Sequence, residues 1–147
     1  MFALRLATVD DIAEVLPRTR AFNALESIVI DPATHESALR RLLGDPSLGG
    51  VWLVERAGVP VGYAIVTFGF DLEFGGRDSY LTELWIDPDA RGRGAGTVAL
   101  TLLESELGSR DVRALHLQVR SDNPAVRLYE RTGFITSLRR VMTRRLG

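Results

Sequence analysis

Three glycines and two arginines occupy the six positions from Arg91 to Gly96, here called the glycine loop, directly before an apolar segment with helical spacing. Each glycine inside a helix costs about 1 kcal/mol relative to alanine, so helix formation does not explain this composition. The segment before the loop, SYLTELWID, has the pattern of a strand. A strand, a glycine-rich loop and a helix in succession are typical of α/β proteins that bind a ligand at the loop.

The start of the helix after the loop predicts an anion site. The first turn of a helix leaves backbone N–H groups unpaired, and the helix dipole places about half a positive charge there. Glycines let the backbone approach a phosphate closely, and Arg91 and Arg93 add formal charge. We therefore predict that backbone groups from Gly92 to Thr97 bind a phosphate. The alternative interpretation is a glycine-rich turn between solvated arginines.

Two common phosphate motifs fit poorly. A P-loop requires a lysine at the helix start, and all 18 basic residues of this chain are arginines. The segment GAGTVA matches the dinucleotide pattern G-x-G-x-x-A, but that turn normally follows its strand at once, and here DPDA intervenes. Neither motif is a sound basis for a function.

Composition excludes several other classes of function. The formal net charge of −1 gives no support to binding of nucleic acid or anionic membrane. The chain has no cysteine, and its two histidines lack metal-ligand spacing, so we expect no metal site. A length of 147 residues predicts one domain spanning residues 1–147. No signal-like N-terminus or long apolar run is present, so we expect a cytoplasmic protein.

The patterning of the chain predicts a mixed α/β fold. The expected order is strand, helix, helix, three strands, helix, strand, helix, strand. Pro17 is expected to break or kink the first helix, and Asp31 is expected to cap the second. The segment FGFDLEFGGRDSY is expected to connect the third and fourth strands, and RRVMTRRL is expected to form the last strand.

Two motifs carry a resemblance to a known family. Arg91, Gly94 and Gly96 fill the pattern R/Q-x-x-G-x-G/A, and NPAVRLYERTGF is similar to N-x-x-A-x-x-L-Y-x-x-x-G-F. In both motifs and in its element order the chain resembles the GNAT superfamily of acetyl-CoA-dependent N-acetyltransferases. The resemblance implies a central, mostly antiparallel sheet flanked by about four helices, with acetyl-CoA as cosubstrate.

The resemblance also implies site residues. Tyr129 corresponds to a family tyrosine that protonates the leaving thiolate, and a phenol with a pKa of about 10 has the proton to give. Asn123 corresponds to a coenzyme contact, although the second motif is one residue shorter than usual. The backbone of the fourth strand is expected to hold the pantetheine arm, and the glycine loop the pyrophosphate. These positions are Leu84, Trp85, Ile86, Arg91, Gly92, Arg93, Gly94, Ala95, Gly96 and Thr97.

Glu83 is the candidate general base, because it is the only carboxylate on the predicted fourth strand. Alternation along a strand predicts that Glu83 points away from the face of Tyr80, Thr82 and Leu84. Family members with a catalytic acid on this strand often carry it where Thr82 stands here. A structural carboxylate near the bend of the strand is the alternative interpretation of Glu83.

Acceptor recognition is expected, by the resemblance, in the N-terminal helices and in FGFDLEFGGRDSY, where Asp71 and Glu73 lie among Phe68, Phe70 and Phe74. Carboxylates among aromatic rings suit an amine with an apolar body. We predict acetyl transfer to a primary amine of a small polyamine-like or amino-acid-like molecule, in a ternary complex and in a chain that is a monomer or homodimer. The alternatives are a non-catalytic acyl-CoA-binding module and a protein N-terminal or lysine acetyltransferase. Gln118 stands where some N-terminal acetyltransferases have a glutamate.

Overall fold

A five-stranded mixed sheet forms the centre of the molecule, whose computed structural model describes all residues, Met1–Gly147. The strands lie in chain order, with the first four antiparallel and the fifth parallel to the fourth. They are β1 (Phe2–Leu6), β2 (Gly49–Arg56), β3 (Val59–Asp71), β4 (Gly76–Ile86) and β5 (Ala114–Leu117).

Four helices accompany the sheet, as the sequence predicts: α1 (Ile12–Leu25), α2 (Pro32–Gly44), α3 (Ala95–Ser109) and α4 (Ala125–Arg131). Asp31 caps α2 by accepting a hydrogen bond from the backbone N–H of Thr34 at 2.9 Å. The helix α1 continues through Pro17, so the expected break does not occur. No helix is both long and apolar enough to cross a lipid bilayer.

The two faces of the sheet carry separate hydrophobic cores. On one face, Val15 of α1 and Leu39 of α2 pack on side chains of β2 and β3, among them the fully buried Tyr63. On the other face, three leucines of α3 pack on Trp52 and on residues of β3 and β4. Helices on both faces bury both sides of the central strands, which explains their nearly continuous apolar sequence.

One irregularity in β4 changes which side chains share a face. Ile65 of β3 pairs with Glu83, but the next residue, Val66, pairs with Leu81, so β4 contains one extra residue at Thr82. This is a β-bulge, and the residues beyond it change face relative to those before it. Thr67 pairs with Tyr80, so Tyr80 and Glu83 lie on the same face, that of α1 and α2. The strict alternation predicted from the sequence is therefore wrong for Tyr80, although Leu84 does pack on the other face.

The strands β4 and β5 are paired over only four residues. The pairing runs from Asp78 with Ala114 to Leu81 with Leu117. Beyond these pairs β4 continues to Ile86 with β3 as its sole neighbour, while β5 ends. The sheet is consequently open between the second half of β4 and the residues that follow β5.

Two segments differ from the sequence prediction. The expected connection FGFDLEFGGRDSY is mostly strand, because β3 and β4 stay paired from Phe68 with Ser79 to Asp71 with Gly76, leaving a short turn. The expected last strand, RRVMTRRL, is not formed. An alternating pattern gives a segment two faces, but a strand also needs a neighbouring edge, and no strand pairs with this one. An ion pair of 2.7 Å between Arg139 and Glu73 holds this segment near the β3–β4 turn.

Candidate active site

A cavity of about 990 Å³ occupies the opening between β4 and the residues after β5. This volume lies at the upper end of the range for small-molecule sites. Its walls include residues of α1 on one face of the sheet and of α3 and α4 at the other. The cavity therefore connects the two faces through the sheet.

Most of the residues singled out in the sequence line this cavity. Of the thirteen predicted site residues, only Arg93 lies outside it, exposed to solvent. The other twelve predicted residues line the cavity: Glu83, Leu84, Trp85, Ile86, Arg91, Gly92, Gly94, Ala95, Gly96, Thr97, Asn123 and Tyr129.

The glycine loop presents free backbone donors to the cavity. Gly92 and Gly94 have φ values of +76° and +80°, a left-handed conformation that favours glycine, and Gly94 is the N-cap of α3. The N–H of Val98 bonds to the carbonyl of Gly94 at 3.0 Å, so the N–H groups of the three residues between them have no helical partner. The first turn of α3 contains no acidic residue. This geometry suits a phosphate.

Gly96 has a packing role in addition. A Cβ added there would lie 3.0 Å from Cδ2 of Leu128 in α4. A larger residue would require the end of the Leu128 side chain to shift by a few tenths of an ångström.

Hydrogen bonds and a cation–π contact order the segment between the end of β4 and the glycine loop. Arg18 of α1 makes two hydrogen bonds to the carboxylate of Asp87, at 2.9 and 2.7 Å, and Trp85 donates its indole N–H to the same carboxylate at 3.0 Å. Arg91 lies over the Trp85 ring, 4.8 Å from its centroid, and donates its Nε–H to the carbonyl of Ile86 at 2.7 Å. Arg91 is thereby oriented while its terminal nitrogens stay available for an anion.

Glu83 lies in the cavity wall and accepts a hydrogen bond of 2.6 Å from the hydroxyl of Tyr63. Burial raises the pKa of Glu83, and the bond from Tyr63 partly opposes that rise. A carboxylate with a raised pKa is a better proton acceptor than an exposed one. Tyr63, which is fully buried on β3, is a site residue that sequence reasoning missed, since it follows apolar strand residues and matches no motif.

Tyr129 of α4 also faces the cavity, and its ring packs edge-on against Phe134 with centroids 5.7 Å apart. Burial raises the pKa of its phenol, and the negative charge of Glu26 raises it further. The phenol therefore keeps its proton at neutral pH and above. It is in the form that can donate.

Asn123 lines the cavity just before α4. Its side-chain oxygen accepts a hydrogen bond of 2.9 Å from the N–H of Ala125, which holds the turn that leads into α4. The helix begins at Ala125, with Pro124 as its N-cap.

Of the two expected acceptor regions, the connection between β3 and β4 does not reach the cavity, whereas the first N-terminal helix does. None of the carboxylates and rings of the β3–β4 turn, from Phe68 to Phe74, is part of its wall. The end of α1 takes that place, with Phe22, Leu25, Glu26 and Ile28. No motif marks the individual residues at the end of α1, and the packing of α1 across the opening brings them to the cavity.

Both histidines lie outside the cavity. His116 of β5 is 3.1 Å from the buried carboxylate of Asp78 through its Nε2 atom, and its ring packs beside Tyr80. No group of three or more histidine, cysteine or acidic side chains is arranged to hold a metal ion.

Comparisons with known proteins agree with this architecture. The chain is similar to an integron cassette protein from the mobile metagenome of Cole Harbour Salt Marsh, with 28% identity and a TM-score of 0.86 over 98% of this chain and 90% of that one. It also resembles in fold a predicted acetyltransferase from Clostridium acetobutylicum, solved with acetyl-CoA, with 20% identity, a TM-score of 0.79 and coverage of 98% and 96%.

A curated relative matches a shorter segment. Mycothiol acetyltransferase of Actinosynnema mirum is 55% identical over 51 residues, which is 33% of this chain and 17% of that protein. The match thus spans about a sixth of the relative's length.

The family model described as the acetyltransferase (GNAT) family matches residues 16–134. That range includes the end of β4, the glycine loop and the helix of Tyr129, and so takes in the whole wall of the cavity. The chain belongs to the GNAT family of acetyltransferases.

Proposed function

We propose that this protein transfers the acetyl group of acetyl-CoA to a primary amine of a small molecule, with both substrates in the cavity at once. The observation that carries the proposal is the opening through the sheet, which brings free backbone N–H groups, a half-buried carboxylate and a half-buried phenol to one cavity. Its volume and its two-sided walls suit two substrates that meet inside the sheet.

The residues present fit the coenzyme. The free N–H groups at the start of α3, together with Arg91, suit a pyrophosphate. The free edge of β4 beyond Leu81 offers backbone donors and acceptors to an extended amide-containing arm, much as a neighbouring strand would. Leu84, Trp85 and Ile86 supply that edge.

The proposed chemistry uses the two half-buried groups, Glu83 and Tyr129. Glu83 accepts a proton from the substrate ammonium, and the neutral amine attacks the thioester carbon. The carbon–nitrogen bond forms and the carbon–sulfur bond breaks. Tyr129 gives its proton to the departing sulfur and regains one from the new amide nitrogen. The proton held by Glu83 then leaves to solvent, which balances the reaction.

Release of free thiol from acetyl-CoA, measured across a panel of amines, tests the proposal. We expect release with small primary amines and none with tertiary amines of similar size. Binding of acetyl-CoA without release in any assay would instead indicate a non-catalytic acyl-CoA-binding module. Release only with peptides that carry a free N-terminus or lysine would indicate a protein acetyltransferase.

Gly94→Val is expected to weaken acetyl-CoA binding at least about tenfold. Valine is strained at a φ of +80°, and its side chain would occupy the space over the free N–H groups. Nothing in the protein lies within 4 Å of the added Cβ, so the fold should persist. Calorimetric titration with acetyl-CoA measures the effect.

Gly75→Val is the matched control, since Gly75 has a φ of +73°, equally open surroundings and a position in the β3–β4 turn. It should carry the same backbone strain and leave the affinity unchanged. Equal affinity in folded Gly94→Val and parent proteins would contradict the assignment of the loop to the pyrophosphate.

A further inference from the structure

The cavity contains one carboxylate that has no partner. Glu26 follows directly after α1 and lines the cavity, but it takes part in none of the ion pairs or side-chain hydrogen bonds of the chain. The other acid of the cavity, Glu83, is bonded to Tyr63. Of the three arginines in the wall, Arg91 is bonded to a backbone carbonyl, Arg120 pairs with Asp122 at 3.0 Å, and Arg131 is exposed and unpaired.

Glu26 lies among apolar side chains at the α1 side of the opening. Phe22, Leu25 and Ile28 are its neighbours in the wall, and Leu25 and Ile28 are themselves exposed. Its charge acts on Tyr129, whose pKa it raises. An unpaired carboxylate on an apolar wall thus lies close to the group assigned to protonate the leaving thiolate.

The two ends of the cavity have opposite character. The α3 end offers free N–H groups and Arg91, which suit phosphates. The α1 end offers a negative charge with apolar surface, which suits a cation with methylene groups. An unpaired carboxylate there favours a ligand that brings a compensating positive charge.

We propose that Glu26 binds a second cationic group of the acceptor, so that the preferred substrates are diamines with an apolar spacer. The proposal rests on the proposed acetyl transfer and identifies its substrate class. Glu83 takes the proton of the reacting nitrogen, so that nitrogen becomes neutral during the reaction. The remote ammonium of the diamine pairs with the carboxylate of Glu26 while the spacer packs on Phe22 and Leu25.

The competing class is an acceptor that carries a carboxylate, as amino acids do. Arg131, at the end of α4, also lines the cavity and has no ion-pair partner. It is exposed, however, whereas Glu26 is partly buried, and charge pairs gain strength with burial. The test below separates the two classes directly.

The experiment compares α,ω-diaminoalkanes, from propane to hexane, with the monoamines of equal length, using acetyl-CoA-dependent thiol release. We expect the best diamine to exceed its monoamine at least about tenfold in kcat/KM. In Glu26→Gln the ratio of diamine to monoamine kcat/KM should fall to about one. The lost charge also acts on Tyr129, but that effect is common to both substrates and cancels in the ratio. Glu104→Gln, an exposed carboxylate of α3 outside the cavity, is the matched control and should keep the preference.

Equal activity of diamines and monoamines in the parent protein would overturn the inference while leaving acetyl transfer intact. So would a diamine preference that survives in Glu26→Gln, or a preference for ω-amino acids over diamines. If no amine releases thiol, the proposed function fails, and calorimetric binding of the same diamines to parent and Glu26→Gln proteins decides the inference separately. A loss of diamine affinity of about tenfold supports it there, and equal affinities overturn it.

Discussion

Replacement of Tyr129 by phenylalanine is expected to lower kcat between about 10- and 10⁴-fold, the range typical for loss of a general acid. The substitution removes one hydroxyl, while the ring can keep its edge-on packing against Phe134. Affinity for acetyl-CoA should therefore change little, and so should the melting temperature. Steady-state kinetics with a saturating amine and calorimetric titration with acetyl-CoA measure the two quantities.

Tyr80→Phe supplies the control for this change. Tyr80 is exposed, lies outside the cavity and makes no side-chain hydrogen bond, so loss of its hydroxyl should leave kcat unaltered. A fall of kcat in Tyr129→Phe without a fall in Tyr80→Phe would assign the effect to the hydroxyl of Tyr129. Parental kcat in Tyr129→Phe would leave that residue a packing role only.

The second large effect is expected for Glu83→Gln, which should lower kcat/KM about 10²- to 10⁴-fold. Glutamine can still accept the hydrogen bond from Tyr63 but cannot take a proton. A base acts in its deprotonated form, so the rate of the parent protein should rise as the pH passes the raised pKa of Glu83. In Glu83→Gln that ascending limb should be absent, with the melting temperature nearly unchanged. The pH profile of kcat/KM is the decisive measurement.

Tyr63→Phe tests the role of Glu83 as the base by removing its hydrogen-bond donor. The hydroxyl of Tyr63 lowers the pKa of Glu83 by stabilising its charged form, so its removal should raise that pKa. The ascending limb should then move to higher pH and persist, in contrast to its loss in Glu83→Gln. If Glu83 is only structural, both variants should lose stability and keep the shape of the parental profile.

Local rules account for the parts of the fold that were predicted correctly. The cap at Asp31 and the start of α3 depend on residues close together in sequence. The glycine loop belongs to the same class, since its backbone conformation is encoded by its own glycines. Such features could be predicted without knowledge of the tertiary structure.

Tertiary contacts determine what the sequence did not reveal. Tyr63 reaches Glu83 from twenty residues earlier in the chain, and Glu26 enters the cavity because α1 packs across the open part of the sheet. No spacing rule links such positions. In the C-terminal segment RRVMTRRL, the missing tertiary contact is a strand neighbour. Its alternating pattern predicts a strand, but no edge of the sheet pairs with it.

The extra residue at Thr82 has a consequence for how related chains are compared. The bulge decides which residue of β4 lies opposite Ile65. With the bulge it is Glu83, whereas in a strand of equal length without the bulge it would be the residue at position 82, and a carboxylate at position 83 would lie on the other face. Two homologues with glutamate in the same alignment column can therefore differ in chemistry if one lacks the bulge. Conversely, a carboxylate one column away can serve the same purpose in a strand without it. Evolution within such a lineage can relocate a proton acceptor by a change of register instead of a substitution.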